Sequence, residues 1–336
     1  MPESSRISNN YDHYYADETS EESDSSNTEA DASSATTSLR SCTWDYPFEN
    51  GRRYNAYRFG EYWCPNDEQQ AEQQAICHHL CNMTLDGRLF LAPIGDRPRR
   101  VLDIGTGTGL WALAFADAFP CAEVIGTDLS PIQPTAVPPN LRFEVDDCTR
   151  PWTFAPDSFD YIHIRCLSGS VADWPAFYAE CMKALKPSGF IEQLEFGLSP
   201  QSEDGTVAPD SAFALWSRSL PAAGDAWGKS LRSVDEAASQ ISAAGFIDVV
   251  EKRWKWPIGG WVDEARLREL GVWNRLHWHQ GIEGWAMFLL TRGLNWSRDE
   301  VRVFLAKMRR MLRDRRVHAH QDVSVVYARK PDKVAN

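Results

Sequence analysis

The stretch Arg99-Arg-Val-Leu-Asp-Ile-Gly-Thr-Gly-Thr-Gly109 decides the fold. Val101, Leu102 and Ile104 read as a short buried strand, and glycines follow at 105, 107 and 109. A glycine-rich turn lets the backbone approach a ligand closely, with unpaired amides facing it. The next segment, Leu110–Phe119, is alanine-rich, lacks Pro and Gly, and stops before Pro120, which predicts a helix. Strand, glycine turn and helix in that order make a nucleotide-type site at the end of a parallel strand.

Downstream the segments alternate. Strands are predicted at Glu123–Asp128, Leu141–Asp147, Phe159–Arg165, Phe190–Glu195, Ile247–Trp254 and Val323–Arg329, with helices near 174–185 and 233–244. Such alternation implies an α/β chain with a doubly wound, Rossmann-like sheet. The insert at 257–320 reads as a helical cap, and nine of the fourteen tryptophans fall between 216 and 296. An aromatic cap is mainly a packing device, although the same residue types line apolar pockets. Upstream, aromatic residues crowd the segment 41–98, and Asn66-Asp67-Glu68 opens a helix to about Asn82. The organisation is thus an acidic tail (1–40), an aromatic and helical segment (41–98), the Rossmann-like domain (99–256), the cap (257–320) and a last strand (321–332).

Composition narrows the function. The net charge is −12, but residues 1–40 hold nine acids against Arg6 and Arg40, so −7 belongs to the tail. That balance argues against general nucleic-acid binding, and the tail is too poor in apolar residues to offset its chain entropy, so disorder is expected there. No apolar run is long enough for a signal peptide or a membrane span. The eight scattered cysteines suit reduced thiols in a cytoplasmic protein, or a nuclear one if the chain is a regulator. Cys77, His78, His79 and Cys81 share one helix but have no second ligand pair at zinc spacing, so no metal site is expected. On the last helix, Val301, Phe304, Leu305, Met308, Met311 and Leu312 form an apolar stripe, with Arg302, Arg309, Arg310, Arg313 and Arg316 read as a solvated basic face.

Two ligand classes use such a loop. A dinucleotide fingerprint wants Gly or Ala three positions after Gly107, where this chain has Leu110. Asp103 would repel a pyrophosphate but suits the amino group of a methionine moiety. Asp128 ends the second strand about twenty residues after the loop, placed for ribose hydroxyls. Asp146 and Asp147 end the third, placed for an adenine amino group. The reading is S-adenosylmethionine, held by Asp103, Gly105, Thr106, Gly107, Gly109, Asp128, Leu129, Asp146 and Asp147.

These residues resemble the class I S-adenosylmethionine-dependent methyltransferases, with Val101–Gly109 as motif I and Leu185-Lys-Pro-Ser-Gly-Phe190 as the turn before the fifth strand. The resemblance implies a seven-stranded sheet whose last strand is antiparallel. Across 44–332 a narrower match joins Asn50-Gly-Arg-Arg-Tyr54, Pro65-Asn-Asp-Glu68, Gly126-Thr-Asp-Leu-Ser-Pro131, Ile162-His-Ile-Arg165, Ala172-Asp-Trp-Pro175 and Val317-His-Ala319. It is similar to the fungal LaeA-like methyltransferases, a family of regulators of secondary metabolism and of enzymes from natural-product clusters. Where that family carries His after the Tyr54 position this chain has Asn55, and no catalytic role passes to it.

Methyl transfer from a sulfonium is an in-line displacement that needs nucleophile and methyl held together in a dry site, with a base only if the acceptor must lose a proton. The candidates are Arg165, His163, Glu195 and Tyr62. His163 and Arg165 share a strand face, and Arg165 is nearer its end. The expected acceptor is a small molecule. The alternatives are a nuclear regulator acting with protein partners, and an idle scaffold, which would have no physical need of the glycines and acids.

Overall fold

The computed structural model describes residues 44–332; the acidic tail expected to be disordered, and Cys42, lie outside the described residues. A small hairpin, β1 (Phe48–Glu49) and β2 (Arg52–Arg53), precedes helix α1 (Glu68–Thr84). The α/β part then runs β3 (Arg100–Ile104), α2 (Leu110–Ala118), β4 (Glu123–Asp128), β5 (Leu141–Val145), β6 (Phe159–Arg165), α3 (Trp174–Ala184) and β7 (Leu185–Phe196). Helices α4 (Ala212–Trp227) and α5 (Ser233–Ala243) lead to β8 (Ile247–Pro257). Helices α6 (Ala265–Gly293) and α7 (Arg298–Arg313) lead to β9 (His320–Arg329).

Seven strands form one sheet in the order β5-β4-β3-β6-β7-β9-β8. β9 runs antiparallel to both β7 and β8, while β3 to β7 pair in parallel. This is the seven-stranded, Rossmann-like arrangement with its last strand antiparallel. The chain leaves β3 to one side for β4 and β5 and returns to the other for β6. The crevice above the ends of β3 and β6 is therefore where such sheets bind ligands.

One face of the sheet packs Trp174, Phe177, Tyr178 and Ile241 from α3 and α5, and the other packs Trp111 and Phe115 from α2. A third core, around Trp216, Trp278, Trp285, Phe288 and Phe304, joins α1, α4, α6 and α7 above the sheet. The cap is thus more than the 257–320 insert: α1 and α4 belong to its packing. Helix α4 was not an expected element. Its apolar face, Phe213, Trp216 and Leu220, is buried against the insert, and Pro221 inside it hides the pattern.

The tryptophans are mostly packing, and several of their indole N–H groups find an acceptor inside the protein. Trp216 donates to the Leu198 carbonyl at 2.7 Å and Trp256 to the Thr84 hydroxyl at 2.7 Å. Strand β7 begins earlier than Phe190, because Leu185 already pairs with Phe159 before a bulge resets the register to Phe190↔Tyr161. Ser188 sits in that bulge at φ +64°, the left-handed region that glycine favours. No helix among the described residues is long and apolar enough to cross a membrane.

The cap depends on a close contact where β8 turns into α6. The Gly259 amide donates to the Gly271 carbonyl at 2.9 Å, and a Cβ on Gly271 would lie 2.2 Å from the Gly259 oxygen. Gly271→Ala is therefore expected to destabilise the protein by about 1–3 kcal/mol through overpacking. Glu269→Ala, on the exposed face of the same helix, should stay within about 0.5 kcal/mol. Urea titration of both variants checks this.

Candidate cofactor and acceptor site

The glycine loop adopts the conformation only its composition allows. Gly105, Gly107 and Gly109 have φ of +67°, +58° and +82°. A Cβ would stand 2.5 Å from Leu167 at Gly105, and 2.5 Å from Phe143 at Gly109. The loop is thus pressed onto the side chains of β5 and of the segment after β6. Gly126, on β4, is the matching gap beneath, where a Cβ would meet both Phe143 and Thr106.

Two of the expected site residues, Asp103 and His163, are hydrogen-bonded to each other. The Asp103 carboxylate accepts from the Thr106 hydroxyl at 2.6 Å and from His163 Nδ1 at 2.7 Å. The His163 ring stacks on Trp111 with centroids 3.7 Å apart, and burial lowers its pKa, so the neutral ring donates to Asp103. Asp103 and His163 are 3% and 2% exposed and lie under the loop, off the cavity wall. Gly109 likewise faces Phe143 instead of the cavity. The physical reason is strand alternation. The side chain of Asp103, two residues before the turn, points into the helix layer, where a buried histidine satisfies it.

The remaining expected residues do converge on one cavity: Gly105, Thr106, Gly107, Asp128, Leu129, Asp146, Asp147, Tyr62, Arg165 and Glu195 all line it. Asp128 accepts from the Gly107 amide at 2.8 Å and the Ser130 amide at 2.9 Å. Burial pushes its carboxyl up to about 6, against the pull of those amides. Asp147 is drawn into the turn by the Thr149 amide and hydroxyl, at 3.0 and 2.6 Å, with Arg150 and Arg58 near its other oxygen. Asp146 accepts only the Asp147 amide among the described residues, and burial raises its pKa. It is the freer acceptor of the pair.

Glu195 accepts from the amides of Leu167 and Ser168 at 3.0 and 3.3 Å and from Gln193 at 3.0 Å. It thereby ties down the segment after β6. Burial pushes its carboxyl up to about 7. Arg165 ends β6 and donates to His78 Nδ1 on α1 at 3.2 Å. Burial raises the Tyr62 hydroxyl well above its usual range, so it stays protonated. Cys77 and Cys81 pack inward on α1, His78 meets Arg165, and His79 packs edge-on against Trp273.

Apart from Tyr62, sequence reasoning missed the roof. Residues 61–66 pass over the cavity, pinned where Trp63 Nε1 donates to the Ser168 carbonyl at 3.3 Å and Asn66 donates to the Ser130 hydroxyl at 3.2 Å. Lys229 donates to the Glu61 carbonyl. From α1, Gln70, Gln73, Gln74 and Cys77 face the cavity, and Gln74 takes the Thr108 amide at 3.0 Å. Phe196, Leu198 and Trp285 close the far end. The one usable signal was Asp67. It caps α1 and also holds Arg52 of β2 through two bonds of 2.6 and 2.7 Å, so Asn50–Glu68 folds as one unit.

The chain was compared with known proteins. Residues 72–249 match a family model described as a methyltransferase domain. The methyltransferase pytC of Aspergillus terreus is 38% identical over 90% of this chain and 93% of its own. The secondary metabolism regulator LAE1 of Cochliobolus heterostrophus is 36% identical over 85% of this chain and 95% of its own. A solved phosphoethanolamine N-methyltransferase 2 of Haemonchus contortus, in complex with S-adenosyl-L-methionine, is 20% identical with a TM-score of 0.42, over 81% of this chain and 55% of that one. Glycine loop, strand-end acids and relatives together place this chain in the S-adenosylmethionine-dependent methyltransferases, in the fungal LaeA-like family.

Proposed function

We propose that the protein transfers a methyl group to a small, largely apolar molecule of fungal secondary metabolism. One observation carries this reading: the acceptor end of the cavity is roofed by residues 61–66 and α1 and walled by Phe196, Leu198, Trp285 and Cys77. The hydrogen bond with Cys166, together with burial, holds the Cys77 thiol neutral, so the wall offers an apolar acceptor a dry fit. A peptide substrate would need an open trough, whereas an in-line displacement gains from an enclosed site. In this reading Asp128 takes the ribose hydroxyls, Asp146 the adenine amino group, and the loop amides hold the rest of the cofactor. Asp103 and His163 keep the loop in place.

Glu195 is proposed as the base when the acceptor is a hydroxyl. A carboxylate offers about four lone-pair sites and three are occupied, which leaves one for an acceptor proton. A carboxyl pushed up to about 7 shares its protons near neutral pH, where proton transfer is most effective. Tyr62 completes the wall as a neutral donor.

The second reading, a nuclear regulator working with protein partners, is favoured by the name of the relative LAE1 and by α7. Arg310 and Arg313 are exposed there and make no ion pair among the described residues. Labelled S-adenosylmethionine, incubated with the protein and a fungal extract split into small-molecule and protein fractions, separates the two readings. Label in the small-molecule fraction is expected; label confined to protein would overturn the first reading.

Two further outcomes follow from the titrations. The ionised form of Asp128 accepts the ribose hydroxyls, so affinity for S-adenosylhomocysteine should fall as the pH drops from 7.5 through 6 to 5. Asp128→Asn should flatten that profile and lose about 10- to 100-fold in affinity at pH 8. The folded-state pKa lies above the unfolded one, so ionisation of Asp128 opposes folding above pH 6, and the variant should lose the cofactor without losing thermal stability. For Glu195 the measurement is kcat at saturating cofactor. It should rise with pH through about 7 in the wild type and become flat and lower in Glu195→Gln.

A further inference from the structure

The cavity contains a cation whose counter-ion the protein does not supply. Arg165 lines it at the end of β6, beside Gly105, because Ile104 and Ile164 are paired neighbours in the sheet. It donates a hydrogen bond to His78, a ring that burial keeps neutral by pushing its pKa to about 3. The thiols around it, Cys77, Cys81 and Cys166, are all held protonated by pKa values raised above the ordinary thiol range. Arg165 makes no salt bridge among the described residues. The carboxylates within electrostatic reach are already engaged: Asp103 by Thr106 and His163, and Glu195 by two amides and Gln193. The other acids of the cavity, Asp128, Asp146 and Asp147, stand at the ends of β4 and β5.

The guanidinium of Arg165 is half-buried on the cavity wall, and its planar fork matches a carboxylate. The backbone beside it is set in an unusual state as well. Cys166 has φ +58°, a left-handed conformation that a residue with a side chain adopts at some cost and that recurs in ligand-binding segments. The ends of β4 and β5 thus bring acids to the cavity, and the end of β6 brings a guanidinium that forms no salt bridge among the described residues.

The geometry points to Arg165 as the receptor for a ligand carboxylate, supplied either by the methionyl end of the cofactor or by the acceptor. The inference rests on the methyltransferase site proposed above and specifies the ligand chemistry of its cationic end. It gives Arg165 a binding role, distinct from the proton transfer assigned to Glu195.

The test compares wild type, Arg165→Met and Arg165→Lys by calorimetry with two nucleosides. S-adenosylhomocysteine carries the carboxylate; 5′-methylthioadenosine has the same nucleoside and thioether and lacks it. If the cofactor supplies the carboxylate, Arg165→Met should lose about 10- to 100-fold with the first and stay within about twofold with the second. Arg165→Lys, which keeps the charge without the fork, should fall between. If the acceptor supplies it, both nucleosides bind all three proteins alike, and the cofactor-loaded wild type binds benzoate but not benzamide, a preference that Arg165→Met abolishes. Unchanged binding of both nucleosides and of benzoate in Arg165→Met would overturn the proposal. So would an equal loss of both nucleosides in both variants, which marks a structural role. Failure of the wild type to bind 5′-methylthioadenosine would instead remove the nucleoside site itself.

Discussion

The structure depends on how closely the loop after β3 lies on the sheet. Three glycines in the left-handed region bring the backbone down onto Leu167 and Phe143, where any side chain would collide. That contact turns the Gly107 amide to Asp128 and leaves Thr106 above Asp103. From it follow the position of α2, the stacking of Trp111 on His163, and the crevice between the ends of β3 and β6. The acids of β4 and β5 reach a ligand only because the parallel strands end at one level beside this loop.

Over that crevice the chain builds a second layer. Asp67 does two jobs with one carboxylate, capping α1 and holding Arg52, and so the hairpin and the helix move as a unit. The α1 helix then packs into the tryptophan-rich core of α4, α6 and α7, while Trp63 and Asn66 bind the roof to the segments after β6 and β4. Enclosure and electrostatics come from the same construction. Low-dielectric walls raise the carboxyls of Asp128 and Glu195 toward neutral pH, while Arg165 faces the cavity without a salt bridge among the described residues.

The regular elements were legible because each carries its own period. Short apolar runs bounded by turn residues marked β3, β4 and β6, and the stripe Val301-Phe304-Leu305-Met308-Leu312 marked α7. The element left out, α4, has Pro221 and small residues in its middle, and its helical state is stabilised by burial against α6. Among the site residues, those at strand ends were found, and of the roof only Tyr62 was. A position at a strand end follows from local spacing, whereas Gln70, Gln73, Gln74 and Trp285 reach the cavity only because distant helices cross it.

The sequence by itself determined the sheet, the glycine loop and the acids Asp128, Asp146 and Asp147, since spacing along the chain sets where each strand stops. The tertiary structure decided which of those residues meet a ligand. Asp103 read as ligand-facing in sequence, but a buried carboxylate and the buried imidazole of His163 satisfied each other beneath the loop. Arg165 shares their strand region yet has no such partner, because the side chains that α1 brings against it are neutral. Pairing between buried polar groups depends on what the fold brings within 3 Å, and no spacing along one chain encodes that distance.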